Sequence, residues 1–192
     1  MVTLLLASSE DDASVNLHRA MLDLGNWSNP TNLPHGMVHQ HLSREVHLLL
    51  IDHLHIHADG IDIIHEENTD CQLDEVLILS RHVSATNTPA LTIHAIGIPG
   101  ETPHGETGQA GGTKGTVVPP SPRFASLFRG MLVEGKLRGL DKEYDLTLET
   151  THHGPVLSKP TLYIEIGSTE SQWNSKEAGD AWASVISDNL GL

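Results

Sequence analysis

Aromatic side chains are scarce in this chain: two Phe, two Tyr and three Trp among 192 residues. Its core must therefore be aliphatic, drawn from Leu, Ile, Val and Ala. A hydrophobic content of 38% is on the low side, yet the length suffices for one domain with a real core. Cysteine is nearly absent. Cys71 stands alone, which excludes an internal disulfide and fits a reducing compartment. It sits in Asp70-Cys71-Gln72, where the adjacent carboxylate disfavours a thiolate, so a nucleophilic role is not expected. No apolar run reaches the roughly 18 residues of a membrane span. Val2 to Ala7 is mostly apolar but has no basic flank and gives way to Ser8-Ser9-Glu10-Asp11. It reads as a first strand rather than a signal peptide. A soluble cytoplasmic protein with no membrane partner is expected.

Basic residues are few as well. Eleven Lys and Arg face 25 Asp and Glu, for a formal net charge of −14. That balance excludes general affinity for nucleic acid and gives no reason to expect DNA as a partner. The deficit is uneven. Lys114, Arg123, Arg129, Lys136, Arg138 and Lys142 fall within one segment, opposed there only by Glu134 and Asp141. That segment is either a local dock for a polyanion or a solvated helix face.

Element signals alternate along the chain. Strands are expected at Val2 to Ala7, Glu45 to Asp52, Asp74 to Ser80, Ala90 to Ile96, Tyr144 to Thr151 and Thr161 to Ile166. A helix follows Ser8, Ser9 and Asp11, with Leu17, Ala20, Met21 and Leu24 on one face and Gly25 at its end. Asn26 to Arg44 is turn-rich and reads as a loop. His53 to Ile64 reads as a hairpin turning through Asp59-Gly60. Gly97 to Pro122 holds seven glycines and five prolines and reads as a long functional loop. Ser121-Pro122 opens a helix carrying Phe124, Leu127, Phe128, Met131 and Leu132. A last helix carries Ala178, Ala181, Trp182, Val185 and Ile186, with Thr169 and Gln172 as its capping box. Strands alternating with helices imply an α/β fold with a mixed, partly parallel sheet flanked by helices.

What is plentiful is histidine, 14 in all. The run Thr150-Thr151-His152-His153-Gly154-Pro155 ends a strand with two adjacent imidazoles. Imidazole suits both metal ligation and proton transfer at neutral pH. His82 follows the strand through Leu79, and His94 follows Leu91-Thr92-Ile93. Glu165 lies in Leu162 to Ile166. If these strands run parallel, their carboxyl ends share one rim and could bind a divalent metal or carry acid–base chemistry. Ser80 and Arg81 sit beside His82, and the amides of Gly167, Ser168 and Thr169 could cradle an anion. His53, His55 and His57 form an HxHxH run. On a strand its rings would share one face, but compositional bias is the favoured reading. Gly108 to Gly115 lacks the Gly-Lys-Ser/Thr order of a phosphate loop, which excludes an ATPase reading.

Several of these motifs occur together in a known order. Ala7-Ser8-Ser9-Glu10-Asp11, Ser80-Arg81-His82-Val83-Ser84, Pro89-Ala90-Leu91-Thr92-Ile93-His94, Thr151-His152-His153-Gly154-Pro155 and Ile164-Glu165-Ile166-Gly167-Ser168 with Trp173 resemble the archaeal and plant type of D-aminoacyl-tRNA deacylase. The resemblance implies an α/β sandwich like those of peptidyl-tRNA hydrolase and the nucleoside phosphorylases. It also implies hydrolysis of the ester of D-aminoacyl-tRNA, D-tyrosyl-tRNA included, with zinc as cofactor. Relatives continue beyond this chain's last residue, so 1–192 is expected to be one α/β deacylase domain lacking the family's C-terminal part, and to be a monomer. Carried onto this sequence, the catalytic candidates are His152, His153, Thr151 and Glu165. The metal candidates are His82, His94, His152 and His153. The substrate-binding candidates are Ser80, Arg81, Gly167, Ser168, Lys114, Arg123 and Arg129, with the acceptor end of tRNA as partner. Two other readings stay open: a metal-dependent hydrolase of a small ester or amide, and a non-catalytic metal-binding module centred on His53 to His57.

Overall fold

A computed structural model describes residues 2–192. Its spine is an eight-stranded sheet in the order β2-β3-β4-β1-β5-β10-β6-β9. The strands are β1 (Val2–Ser8), β2 (Thr31–Leu33), β3 (Gly36–Gln40), β4 (Val46–Ile51), β5 (Leu73–His82), β6 (Ala90–His94), β9 (Asp145–Leu148) and β10 (Thr161–Gly167). The long Gly/Pro segment adds a two-stranded sheet of β7 (Gly97–Ile98) and β8 (Thr116–Val117). β4, β1, β5 and β10 run parallel. β6 runs against β10, and β9 runs with β6. The mixed α/β architecture matches the expectation from the sequence.

Central strands read as continuous apolar runs because both faces are covered. On one face Leu5 and Ala7, Leu77 and Leu79, and Leu162, Ile164 and Ile166 pack under α1 (Asp12–Asp23), α3 (Phe124–Leu137) and α5 (Lys176–Leu190). On the other, Leu4, Leu6, Val76, Ile78 and Tyr163 meet Ile61 of α2 (Ile61–Thr69) and the loop residues Val118 and Leu157. Each fully buried Leu or Ile contributes roughly 1.5–3 kcal/mol. Strand periodicity then decides where polar residues go. Glu165 pairs with Ser80 on one side and Thr92 on the other, so all three face away from the large helices.

Four local expectations are corrected. Asn26 to Arg44 is not a loop, because the edge of β4 templates the β2–β3 hairpin, with Gly36 at φ +150 against Leu50. His53 to Ile64 is not a hairpin. Gly60 adopts a left-handed conformation and starts α2, while His55–His57 form one 3₁₀ turn. At three residues per turn, alternate residues diverge, so His55 is buried while His53 and His57 are exposed. The Thr169–Gln172 pair caps a separate short helix, α4 (Glu170–Trp173), and Ser175 caps α5. The strand expected over Tyr144 to Thr151 stops at Leu148.

His18 of α1 is buried near the His39 ring, and its Nε2 has no partner. Burial, with His39 second, pushes its pKa down to about 4. The unfolded chain therefore binds the extra proton first. Stability from this residue is complete above pH 6.5 and is lost as pH falls toward 4, by on the order of 3 kcal/mol. Urea unfolding of wild type and His18→Gln across pH 7 to 4 should show a flatter profile for the variant.

Candidate active site

The polar face described above opens into a cleft of roughly 280 Å³, lined among others by Asp11, His55, Ser80, Arg81, His82, Ala110, His152, His153 and Glu165. Antiparallel pairing of β6 with β10 corrects the picture of a shared rim. His94 lies level with Tyr163, whereas His82 lies level with Gly167 at the far end of β10. The groups meet across one face of the sheet, with Glu165 between them.

Glu165 is 3% exposed. Its Oε2 lies 3.5 Å from His82 Nδ1 and its Oε1 lies 3.6 Å from His94 Nε2. Burial alone would raise its pKa, but the two imidazoles outweigh burial and hold it well below the usual carboxylate range. Glu149, just past β9, sits 2.9 Å from His82 Nδ1. Flanked by the Glu149 and Glu165 carboxylates, His82 is pushed up to about 10 and is an imidazolium at neutral pH. Burial works against charge on His94, yet Glu165 raises its pKa overall. His153 goes the other way. Burial and the neighbouring His94 lower it to about 4.

Three imidazoles form a cluster. His94 stacks between His152, with centroids 4.3 Å apart, and Tyr163, 5.2 Å away, while His153 meets His94 edge-on at 4.9 Å. Each donates Nδ1–H to a main-chain carbonyl: His94 to Ala95 at 2.9 Å, His152 to Thr150 at 2.7 Å and His153 to Gly154 at 2.6 Å. A carbonyl only accepts, so each neutral ring keeps its lone pair on Nε2. This is how metal-ligating histidines are usually oriented. The three ligand atoms lie within 4.8 Å of one another, and His94 Nε2 is buried without a hydrogen-bond partner. The donor set fits a divalent cation, which would displace any proton His94 shares with Glu165. His82, Glu149 and Glu165 form a second group within the same reach. There His82 is an imidazolium held between the two carboxylates, so it stands apart from the three lone-pair donors.

Sequence reasoning missed four members. Asp11 caps α1 by accepting the Ser14 N–H on Oδ1, and its Oδ2 accepts the Arg81 N–H at 3.1 Å. Oδ2 also lies 3.4 Å from Nε2 of buried His55, whose Nδ1 is 3.2 Å from the Tyr163 hydroxyl. Burial raises the Tyr163 phenol well above its ordinary pKa, so it stays protonated and donates to His55. His55 was visible only inside the HxHxH run, and Tyr163 only as a core aromatic. Glu149 was visible only as an exposed strand position.

Other candidates lie elsewhere. Lys114 pairs with Glu101 at 2.6 Å. Arg123 pairs with Glu75 at 2.6 Å and donates to the Asn189 carbonyl, which ties it into the scaffold. Arg129 is an exposed residue of α3, which packs against the opposite face of the sheet. Arg81 is the cation that lines the cleft, resting 5.4 Å from the Trp173 ring centroid. At Gly167 to Thr169 the Thr169 N–H is taken by the Gln172 side chain and the Ser168 hydroxyl donates to the Thr88 carbonyl. Thr151 flanks the two histidines without lining the cleft.

The Gly/Pro segment forms one wall. The Gly154 N–H donates to the Ala110 carbonyl at 3.1 Å. A Cβ at Gly111, where φ is +73, would fall 1.9 Å from the Ile56 carbonyl oxygen, and one at Gly154 would fall 2.3 Å from the Gly112 nitrogen. Gly115 also has a positive φ, +77, but open space around it. Gly115→Ala should therefore cost about 1–2 kcal/mol for the left-handed conformation alone. Gly111→Ala should cost clearly more, read as a larger drop in the urea midpoint. Equal drops would refute the close approach.

A family model described as D-aminoacyl-tRNA deacylase matches residues 69–191. A D-aminoacyl-tRNA deacylase of Arabidopsis thaliana is 37% identical over 192 residues, covering all of this chain and 60% of the relative. One from Methanosarcina mazei is 34% identical over 188 residues, covering 95% of this chain and 60% of the relative. The chain thus spans about three fifths of the length of these curated relatives. Among solved structures, a conserved protein of unknown function superposes with a TM-score of 0.85 at 27% identity, over 100% of this chain and 64% of that one. A 5′-methylthioadenosine/S-adenosyl homocysteine nucleosidase of Helicobacter pylori gives 0.56 at 7% identity, over 99% and 98%, a likeness of fold alone.

Proposed function

The chain belongs to the D-aminoacyl-tRNA deacylase family, and we propose that it contributes the cleft in which the ester of a D-aminoacyl-tRNA is hydrolysed in the cytoplasm. The observation that carries this reading is the convergence of three Nε2 lone pairs, from His94, His152 and His153, beside a buried carboxylate.

His94, His152 and His153 would hold a divalent ion, zinc by family resemblance. Bound there, such an ion supplies Lewis acidity toward the ester carbonyl or acidity to a water molecule. The remaining work falls to the protein. Glu149 lies 3.8 Å from His152 Nε2 and accepts the proton of the attacking water. Water oxygen bonds to the carbonyl carbon, and the bond from that carbon to the ribose oxygen breaks. His82, an imidazolium at neutral pH, hands its proton to the leaving ribose oxygen, which departs as a hydroxyl. Arg81, braced by Trp173, faces the phosphodiester next to the terminal ribose. The wall at Ala110 and Gly111 reads the side of the amino acid's Cα. Rejecting the L-ester a thousandfold requires roughly 4 kcal/mol of transition-state difference, which a steric wall supplies.

One observation favours a second reading, a hydrolase of a small ester. Among the described residues lining the cleft, Arg81 is the single Lys or Arg, which is little for gripping a polyanion.

The test is deacylation of D-tyrosyl-tRNA against L-tyrosyl-tRNA, with zinc and with chelator. Selective, zinc-dependent loss of the D-ester is expected. His152→Ala and His153→Ala should lower kcat at least a hundredfold while the circular dichroism spectrum is retained. Near-normal turnover by both variants would overturn the assignment. Arg81→Ala should raise KM and reduce the salt slope of kcat/KM by about one. Turnover of small esters at a rate indifferent to salt, with tRNA esters untouched, would establish the second reading.

A further inference from the structure

Away from the cleft, side chains from four segments converge on the β3–β4 side of the sheet. His35 stands in the turn between β2 and β3, His47 on β4, His65 on α2, and Cys71 two residues beyond α2. His65 is fully buried and His47 is 8% exposed. His47 Nδ1 lies 2.8 Å from His65 Nε2, and His65 Nδ1 lies 3.0 Å from His35 Nε2. The ligand atoms of His47, His65 and Cys71 are within 4.8 Å of one another.

We propose that His47 Nδ1, His65 Nε2 and Cys71 Sγ form a second metal site, separate from the cleft, that takes one zinc ion. Two imidazoles and a thiolate are a donor set suited to zinc, with water completing the tetrahedron. The surroundings have the features that ligands of this kind require. With Nε2 committed to the ion, His65 donates Nδ1–H to His35 Nε2, the outer-shell bond that fixes a ligating ring. Cys71 Sγ lies 3.1 Å from the Thr69 hydroxyl, whose own proton goes to the His65 carbonyl at 2.6 Å, so this contact holds the sulfur beside the two rings. Nitrogens sharing a tetrahedral zinc stand roughly 3.4 Å apart. His47 and His65 therefore need to part by only about half an ångström, within reach of side-chain torsions. On binding, the Cys71 thiol loses its proton to solvent, so occupancy falls in acid. The ion would staple α2 to β4 and, through His35, anchor the β2–β3 hairpin at the edge of the sheet. The competing arrangement is a chain of imidazole hydrogen bonds with no metal, in which Cys71 takes no part.

The chain's composition makes the site individually observable. Cys71 is the sole cysteine, and the cleft holds none. Any thiolate-to-metal charge transfer therefore reports this site and not the other. The experiment is a cobalt(II) titration of the metal-stripped, reduced chain, with the free thiol counted beforehand. A near-ultraviolet charge-transfer band should saturate within two equivalents per chain, and within one in His152→Ala, and zinc should bleach it. The band should vanish in Cys71→Ser, survive in His152→Ala, and need at least tenfold more cobalt in His47→Gln. Folded wild-type chain that shows no such band in tenfold excess of cobalt would overturn the proposal. So would a band of full strength in both His47→Gln and His65→Gln, or one that falls away on dilution as thiolates of two chains separate.

Discussion

The site depends on one carboxylate that the sheet forces into its interior. Glu165 lies within β10, and strand alternation points it to the same face as Tyr163. An isolated carboxylate there would cost several kcal/mol in lost hydration. Only partners of opposite charge or hydrogen-bonding capacity offset that cost. β5 supplies His82 from one neighbouring strand, and β6 supplies His94 from the other. Because β6 runs against β10, these partners approach Glu165 from opposite ends. Strand direction is thus part of the electrostatics. The depressed pKa of Glu165 draws on both partners, whereas the charge on His82 rests first on Glu149 and then on Glu165.

The second constraint is steric. The Ile56 carbonyl, the Gly111–Gly112 backbone and Gly154 meet with no room for side chains. Three segments far apart in sequence are locked by that contact: the 3₁₀ turn bearing His55, the Gly/Pro segment, and the His152-His153 turn. His153 itself holds a positive φ of 46 without being glycine. Such a conformation persists where surroundings over-determine it, and it clusters at functional sites. Here the surroundings are the Ala110 carbonyl that binds Gly154 and the Tyr163 ring packed 4.7 Å from the His153 ring. Gly111 and Gly112 are explained by close approach to the His152-His153 turn, whereas Gly100, Gly105 and Gly115 have open space around them.

Most of the scaffold was legible because burial on both faces writes apolar runs into β1, β5 and β10 and a helical period into α1, α3 and α5. The edge of the sheet was not legible. β2 and β3 contain Asn, Gly, His and Gln, and they are strands only because β4 offers an unpaired edge. The Asp59-Gly60 pair was misread for a related reason. Gly with positive φ serves a hairpin turn and a helix start equally well, and the tertiary contact of Ile61 decides between them. In the site, His94, His152, His153 and Glu165 were recognisable from their motifs. Asp11, His55 and Glu149 were not, because each has a sufficient local explanation, as a helix cap, a biased His run and a strand end. Lys114 and Arg123 were overestimated. Net charge along a segment says nothing about partners, and both cations are taken by Glu101 and Glu75.

That loss of cations bears on how an acidic chain could serve a polyanion. Asp11 and Glu165 line the cleft, with Glu149 beside it, opposed by Arg81 and His82. Left to these groups, the cleft does not attract a phosphodiester. In the proposed function the three Nε2 donors would change the balance, since neutral imidazoles would bring a dication in without adding any negative charge. With an ion held there, the surplus positive charge would lie at the three donors and not be spread over the surface. Recognition built this way acts over the Debye length of about 8 Å at physiological salt and is nearly silent beyond it. It suits a ligand that presents one flexible end to the protein, as the acceptor terminus of tRNA does. It would also reconcile the proposed activity with a body whose overall charge repels the rest of that molecule.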